Sequence, residues 1–465
     1  MNLTPASGHR AAEAPRRPVG PALVLAVALP LLTVGTLALV PTGGPDESPQ
    51  PPELSAVTRT SLGCPAAHGE TRSVLVGSSL AEEDGQVALD LLGAGGRPRG
   101  LDLRPPGLTS ARLRRAAVVT GEDAWAPGLL AARVGDGAAV SCEAPAPQSW
   151  FTGVGARPQH ASVVELVNPD RGPAIADLTI LAPSGPLDVP DVRGVRVPGR
   201  SSIELDLARI VPRRTELAVR VVVSRGRLTS SVWDTVDELG EGPAASDWVG
   251  PQPDPVSSGI VLGLPTGEGS RRLTLANGGL DETRVEVRIV APESVFDPEG
   301  LEEVGIPPGS VRSIRLDELL AREIDAGATG LLIEASNPVS ASVRTFVDGD
   351  LTHTPVAAPV DELAATVVPA GRGRLVLAGA TRPGVATVVS RAAGGRTLRE
   401  ERVEIGPDRS VTMRLPDDTS YVALEVRRTT AVASVVVQGP GGAIVLPLRG
   451  TVKNGLVPAV RPDLP

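Results

Sequence analysis

Hydrophobic and polar positions along the 465-residue chain follow two patterns. Val19 to Val40 holds no charged residue and is almost wholly apolar. As a helix of about 1.5 Å per residue it would cover about 33 Å, enough for a hydrocarbon core of about 30 Å. Beyond Ser61 the apolar residues instead alternate with polar ones in short runs. Ile203, Leu205 and Leu207 fall on one face, with Glu204 and Asp206 on the other. Period two, rich in β-branched residues, predicts half-buried strands.

One alternating run recurs four times, as Leu101–Leu113, Val195–Leu207, Val304–Leu316 and Val403–Leu415, each holding a Pro- or Gly-rich turn followed by a strand. The neighbours recur too. Short runs such as Ser162–Leu166 and Ala176–Ile180 precede the motif, and a predicted hairpin follows it, turning at Arg225-Gly226 in the second copy and Asn337-Pro338 in the third. A leading strand, such as Gly259–Leu262 or Ala365–Val368, brings the total to about six strands per copy. The copies repeat every 95–110 residues or so, the size of an immunoglobulin-like sandwich and about twice a propeller blade. The expected fold is mainly β: an N-terminal transmembrane helix, then a tandem array of about four immunoglobulin-like β-sandwich units. A propeller-like assembly of the repeats is the alternative. Helix is expected chiefly over Leu316–Glu323.

The expected organisation is a cytoplasmic tail (1–18), an anchor (19–40), a Pro-rich linker (41–60), four units (61–146, 147–240, 241–355 and 356–450) and a C-terminal tail (451–465). Arg10, Arg16 and Arg17 precede the apolar run, and Asp46 and Glu47 follow it. The positive-inside rule then puts the repeats outside the membrane. A cleaved signal peptide, with Thr36-Leu37-Ala38 near its cleavage site, is the rival reading, and the run is long for one. Either reading exports the repeats.

An exported chain changes how the cysteines are read. Cys64 and Cys142 are the only two, and an oxidising compartment favours a disulfide between them across the first unit. The formal charge is −9, and setting aside Arg10, Arg16, Arg17 and Glu13 leaves −11 beyond residue 40. That balance argues against nucleic acid as a partner. With four Trp, three Phe and one Tyr, the core must be built from alanine, valine and leucine. Lys453 is the sole lysine.

Candidate chemistry is sparse. No nucleophile elbow, zinc-protease helix or Walker loop occurs. Gly93-Ala94-Gly95-Gly96 reads as a turn, because no helix follows it. Asp348-Gly349-Asp350 with His353 reads as a solvated turn rather than a cation site. The Asp-Glu-Leu triplets at Asp237, Asp317 and Asp361 fit helix starts and loops. His68, His160 and His353 lie in different units or loops without metal-like spacing. The doublets Arg213-Arg214, Arg271-Arg272 and Arg427-Arg428 read as solvated edge charges. Trp125, Trp150, Trp233 and Trp248 read as core or junction plugs, with sugar stacking as the functional alternative. No catalytic, cofactor or metal residue is singled out.

The layout resembles the DUF5719 family of uncharacterised actinobacterial proteins. The residues carrying the resemblance are Asn168-Pro169, Asn277-Gly278, Pro198-Gly199-Arg200-Ser201 and Pro308-Gly309-Ser310, within units covering most of residues 60–450. The fourth copy departs, with Pro407-Asp408 and no Asn after its early strand. Arginine in place of lysine fits a high-GC genome. The resemblance implies a membrane-anchored, secreted β-repeat protein without assigned activity, and a partner in cell-envelope glycosyl transfer. The expected function is a non-catalytic scaffold or adaptor of the cell envelope that contacts another envelope protein. The alternative is a polysaccharide-binding array relying on Trp150 or Trp248. An exported hydrolase is a third reading, weakened by the missing motifs.

Overall fold

A computed structural model describes residues 21–39, 53–93, 95, 97–135, 137–238, 243–252, 254–439 and 442–457. The expected cytoplasmic tail and most of the Pro-rich linker lie outside the described residues. Pro21–Leu39 is a helix of 19 residues, about 28 Å long. No helix among the described residues is long and apolar enough to cross a membrane.

Leu54–Gly455 forms one compact body, mainly of antiparallel strands. Its strands fall into four sets of the same order. In the first set eight strands follow one another: Arg59–Cys64, Ser73–Ser78, Gly85–Leu91, Arg99–Leu103, Thr109–Arg112, Ala117–Glu122, Leu129–Val134 and Ala139–Ser141. One sheet runs fourth–third–sixth–first, the other fifth–second–seventh–eighth. The fourth set, from Leu363–Val367 to Gly442–Pro447, repeats both orders and adds Arg449–Gly450 beside its first strand. The second and third sets follow the same plan with two variations. The fourth strand is split in two, and one long strand links the two sheets: Gln148–Arg157 in the second set and Gly330–Val347 in the third.

Each set has its own apolar core between its sheets, including Val74, Val87 and Val119 in the first and Leu375, Val388 and Leu424 in the fourth. Alanine, valine and leucine dominate these cores, as an aromatic-poor composition requires. Ile203 and Leu205 pack against the core of the second set while Glu204 is exposed, so the alternation read from the sequence is realised.

Three expectations are corrected. Each set has about eight strands, not six, because the recurring run spans two strands, the fourth and the fifth, and because each set ends in a strand paired to the seventh. The sixth and seventh strands form no hairpin. They lie in opposite sheets, and Gly330–Val347 passes straight through Asn337-Pro338, its first half pairing with Thr283–Val290 and its second with Gly269–Ala276. Alternation reports that a strand is half-buried, not which sheet it joins. Finally, Ala245–Val249, counted with the third unit, pairs with Thr229–Val236 and closes the second set.

The sets close on one another. The turn between the fourth and fifth strands docks on the end of the third strand of the set before it. In the second set this turn carries Arg200, whose Nη2 lies 2.6 Å from Asp90 Oδ2 and whose carbonyl accepts from Gly93 N (3.2 Å). The matching turn of the fourth set donates from Ser410 N to the Ala291 carbonyl (2.9 Å). In the third set the turn meets the strand just beyond, where a Cβ on Gly309 would press on Pro186 of the second set's split fourth strand. The first set completes the cycle, with Leu108 N donating to the Ala393 carbonyl of the fourth (2.8 Å). Arg200, Gly309 and Asp408 occupy matching turn positions at φ of 52°, 63° and 55°, the left-handed region that glycine enters most easily. The last strands of the four sets meet at the centre, where Thr352 Oγ1 donates to the Ala443 carbonyl (2.9 Å) and Arg449 pairs with Glu143 (2.6 Å).

A buried asparagine explains the Asn motif. Asn168 Nδ2 donates to the carbonyls of Gly172 (2.9 Å) and Val197 (3.1 Å), and its Oδ1 accepts from Asp170 N (2.9 Å). Asn277 makes the same bonds at the same sequence offsets, to Asp281, Ile306 and Gly279. In the fourth set, which lacks the Asn, Thr429 Oγ1 accepts from Thr381 N and Arg382 N instead.

Cys64 and Cys142 are bonded, 78 residues apart in sequence. The chain-entropy model credits a loop of that length with about 4–5 kcal/mol. Replacing both with serine should therefore lower the thermal midpoint of the protein by several degrees, as reductant should for the wild type. Equal melting with and without the bond would reject this. Asn277→Ala strands the buried Ile306 carbonyl and loses the bond to Asp281, and should cost about 1–3 kcal/mol in urea unfolding, whereas half-buried Asn337→Ala, which loses one bond to the Glu282 carbonyl (3.2 Å), should cost less.

Candidate functional site

A close group of titratable side chains lies between the second and third sets. Strand pairing places Ser162 opposite Asp234, and Arg344 opposite His353. Asp234 Oδ2 accepts from His160 Nε2 (3.1 Å) and His353 Nε2 (2.9 Å), and Oδ1 accepts from the Ser162 hydroxyl. Arg344 Nη1 lies 2.9 Å from His160 Nδ1. The same nitrogen lies 3.2 Å from His160 Nε2. Burial pushes Asp234 upward, but the imidazoles of His160 and His353 outweigh it and hold the carboxyl well below the usual range. Burial lowers His353 against the pull of Asp234. Asp247, beneath the His353 backbone N–H, is driven well above its ordinary value by burial.

This grouping has the residue types of a catalytic site without access to a substrate. His160, Ser162, Asp234, Arg344 and His353 are all buried. They tie two sets together. The histidines stand 193 positions apart on strands rather than loops, so no local motif could reveal their meeting. His353 is accordingly not part of a solvated turn. Asp350 lies nearby, accepting from Ala443 N (2.7 Å) and raised to about 6 by burial.

The remaining candidates disperse. Gly93 serves as a docking turn, Asp317 Oδ1 accepts from Arg271 N at the start of a helix (Asp317–Asp325), and Asp361 is exposed. Arg271 is fully buried and donates to the Gly267 carbonyl, which corrects its reading as an edge charge. Arg272 bridges to Glu216 of the second set (3.6 Å), while Arg213, Arg214, Arg427 and Arg428 are exposed. Among the described residues no group of three or more His, Cys, Asp or Glu could hold a metal ion.

The tryptophans separate by role. Trp150 and Trp248 are buried, so neither can stack on a sugar as the polysaccharide reading required. Trp248 and Trp233 form an aromatic cluster with His68, whose imidazole stacks on Trp233 at 4.8 Å between centroids. Trp125 is half-buried and faces an open cleft.

Open space in the body lies largely where one set meets the next. The cleft between the first and second sets measures about 950 Å³ and is lined by charged side chains and Trp125. Between the third and fourth sets an apolar pocket of about 430 Å³ is walled by Ile260, Val290, Leu332 and Val432. The fourth and first sets enclose about 370 Å³ beside Cys142 and Thr366. Between the second and third sets Trp150 fills the junction, packed on Leu181, Ala218, Ala276 and Val311, with the Arg220 guanidinium 5.6 Å from its centroid.

The family model for a family of unknown function, DUF5719, matches residues 112–416, most of the strand-forming chain. The chain belongs to the DUF5719 family. No curated protein matches it. The matched span of this DUF5719 chain includes both buried asparagines, the His–Asp–His tie and three of the four docking turns.

Glu165 of this DUF5719 chain makes the first junction sensitive to pH. It is buried, its Oε2 accepting from Ala66 N of the first set (2.8 Å), and burial raises it from 4.5 to about 7 against that bond. Between those values the folded state holds the proton more tightly than the unfolded chain, so this contribution is full below about 4.5 and is lost as pH rises through about 7. Acidifying from pH 8 to 5.5 should raise the melting temperature of the wild type relative to Glu165→Gln, whose amide does not titrate. Parallel pH curves for the two proteins would contradict the assignment.

Proposed function

We propose that this DUF5719 protein is a non-catalytic, membrane-anchored extracytoplasmic scaffold or adaptor of the cell envelope, its four strand sets being immunoglobulin-like sandwiches. One observation carries the reading: side chains capable of chemistry are buried in the ties between sets, whereas the open surface lies in clefts that two sets build together. A body so arranged presents several faces to partners without exposing a reactive group. The uncharged run from Val19 to Val40, its arginine-rich N-terminal flank and the Cys64–Cys142 bond support export and anchoring. The partner would be another envelope protein, with glycosyl-transfer machinery the class that the family resemblance implies.

Photo-crosslinking of the full-length protein in its own membranes, then affinity purification, tests this reading. Amine-directed reagents would reach little beyond Lys453. The expected result is recovery of a defined envelope protein, with protease added to intact cells digesting the repeats. An intact body after protease treatment of cells, or a hydrolytic activity abolished by one substitution that leaves the fold unchanged, would overturn it.

A further inference from the structure

The four junctions have matching positions and different contents, and the first stands apart. It is the largest, and its lining balances charge. Arg59, Arg99, Arg171 and Arg200 face it, and so do Asp90, Glu122, Asp123 and Asp170. One pair crosses between the sets, Arg200 with Asp90 at 2.6 Å, while Arg59 pairs with Glu122 within the first set at 2.7 Å and Asp170 with Arg227 within the second at 2.6 Å. Arg99, Arg171 and Asp123 make no ion pair among the described residues and are exposed. Four cations against four anions give neither an anion nor a cation a net attraction. They do supply a dense field of donors and acceptors, those of Arg99, Arg171 and Asp123 without an ion-pair partner, the equipment for hydroxyl groups.

The apolar element is Trp125. A short 3-10 turn, Asp123–Trp125, carries it between the sixth and seventh strands of the first set. Its indole lies on Gly85, where a Cβ would come within 2.5 Å of Nε1, so the missing side chain makes the room that seats it. One part of the indole packs on the core of the set and the rest borders the cleft. A fixed aromatic beside convergent polar groups, in a volume near the upper end of ordinary ligand pockets, fits a ligand with an apolar face and hydroxyl edges. The equivalent junctions lack this combination: one is filled by Trp150 and another is walled by aliphatic side chains.

We propose that the cleft between the first and second sets binds a neutral saccharide, stacked on Trp125 and hydrogen-bonded by Arg99, Arg171 and Asp123. The site is distinct from the surfaces that would recruit a protein partner, and its failure would leave the adaptor reading standing. Two sets contribute to it, so it exists only in the assembled body.

Calorimetric titration of the full-length protein with neutral tetrasaccharides of glucose, N-acetylglucosamine, galactose and mannose tests it. At least one should bind with a Kd below about 1 mM. Trp125→Ala should weaken that binding about tenfold or more, and Trp125→Tyr, which keeps an aromatic face, should stay within about threefold. Arg171→Ala, a change at an exposed side chain on the opposite wall, should also weaken it and carries the test if Trp125→Ala fails to fold. No binding by any of the four sugars would overturn the proposal. So would binding that ignores both Trp125→Ala and Arg171→Ala, or a cleft that takes inorganic phosphate in preference to the sugars.

Discussion

Everything in the body depends on closure. Each set docks its fourth-to-fifth turn on the set before it, and the cycle ends only because the first set's turn finds Ala393 of the fourth. An open array of repeats exposes apolar junction faces at both ends and needs polar caps to stay soluble. A closed one has no ends. Each junction face is covered by a neighbour, and the edges left outside can be defended by charge. The outermost strand of the fourth set, Thr397–Ile405, shows that defence: Arg399, Glu400, Glu401, Arg402 and Glu404 lie on an exposed edge and resist pairing with another chain.

Closure also explains why an aromatic-poor chain spends so many polar groups in its interior. A buried ion pair is weak evidence of stability, because the cost of removing charge from water rivals the attraction gained. The His160–Asp234–His353 tie supplies selectivity instead. Two imidazole N–H groups from different sets must reach one carboxylate, and a one-residue slip in either strand would turn its histidine to the opposite face. Four sets with interchangeable valine and alanine surfaces could dock in several registers. A polar tie that works in only one of them excludes the rest.

How far the sequence revealed this differs from element to element. The repeat was plain, because the Pro-Gly-Ser turn and the strand after it must keep their spacing to dock on a neighbour. Asn168 and Asn277 were visible as motif positions for a similar reason, each holding carbonyls at offsets of 4 and 29 residues. The partition of strands between sheets was not legible, since a strand of period two reads the same whether it turns back beside its neighbour or crosses to the opposite sheet. The histidine tie and the Trp125 cleft were invisible for another reason. Both are built by residues of different sets, and one sequence carries no signal for which distant positions meet. Trp150 and Trp248 are the plugs that so aromatic-poor a composition suggests, and their burial sets aside the alternative of a sugar platform.

That same junction geometry has been given four different contents within one chain. At the second-to-third junction packing is complete, with Trp150 over Gly278 and a polar seam of Thr152, Ser340 and Gln252 beside it. At the first it is left open and lined with charge. Leaving about 950 Å³ unfilled sacrifices contacts that a bulkier residue would have made, as the Trp150 junction demonstrates. Arg200–Asp90 ties the two walls of the open junction, and Arg59–Glu122 pairs neighbouring strands of the first set, while Arg99, Arg171 and Asp123 stay exposed. A charged opening in a body otherwise closed on itself is a surface prepared for something other than another part of the same chain.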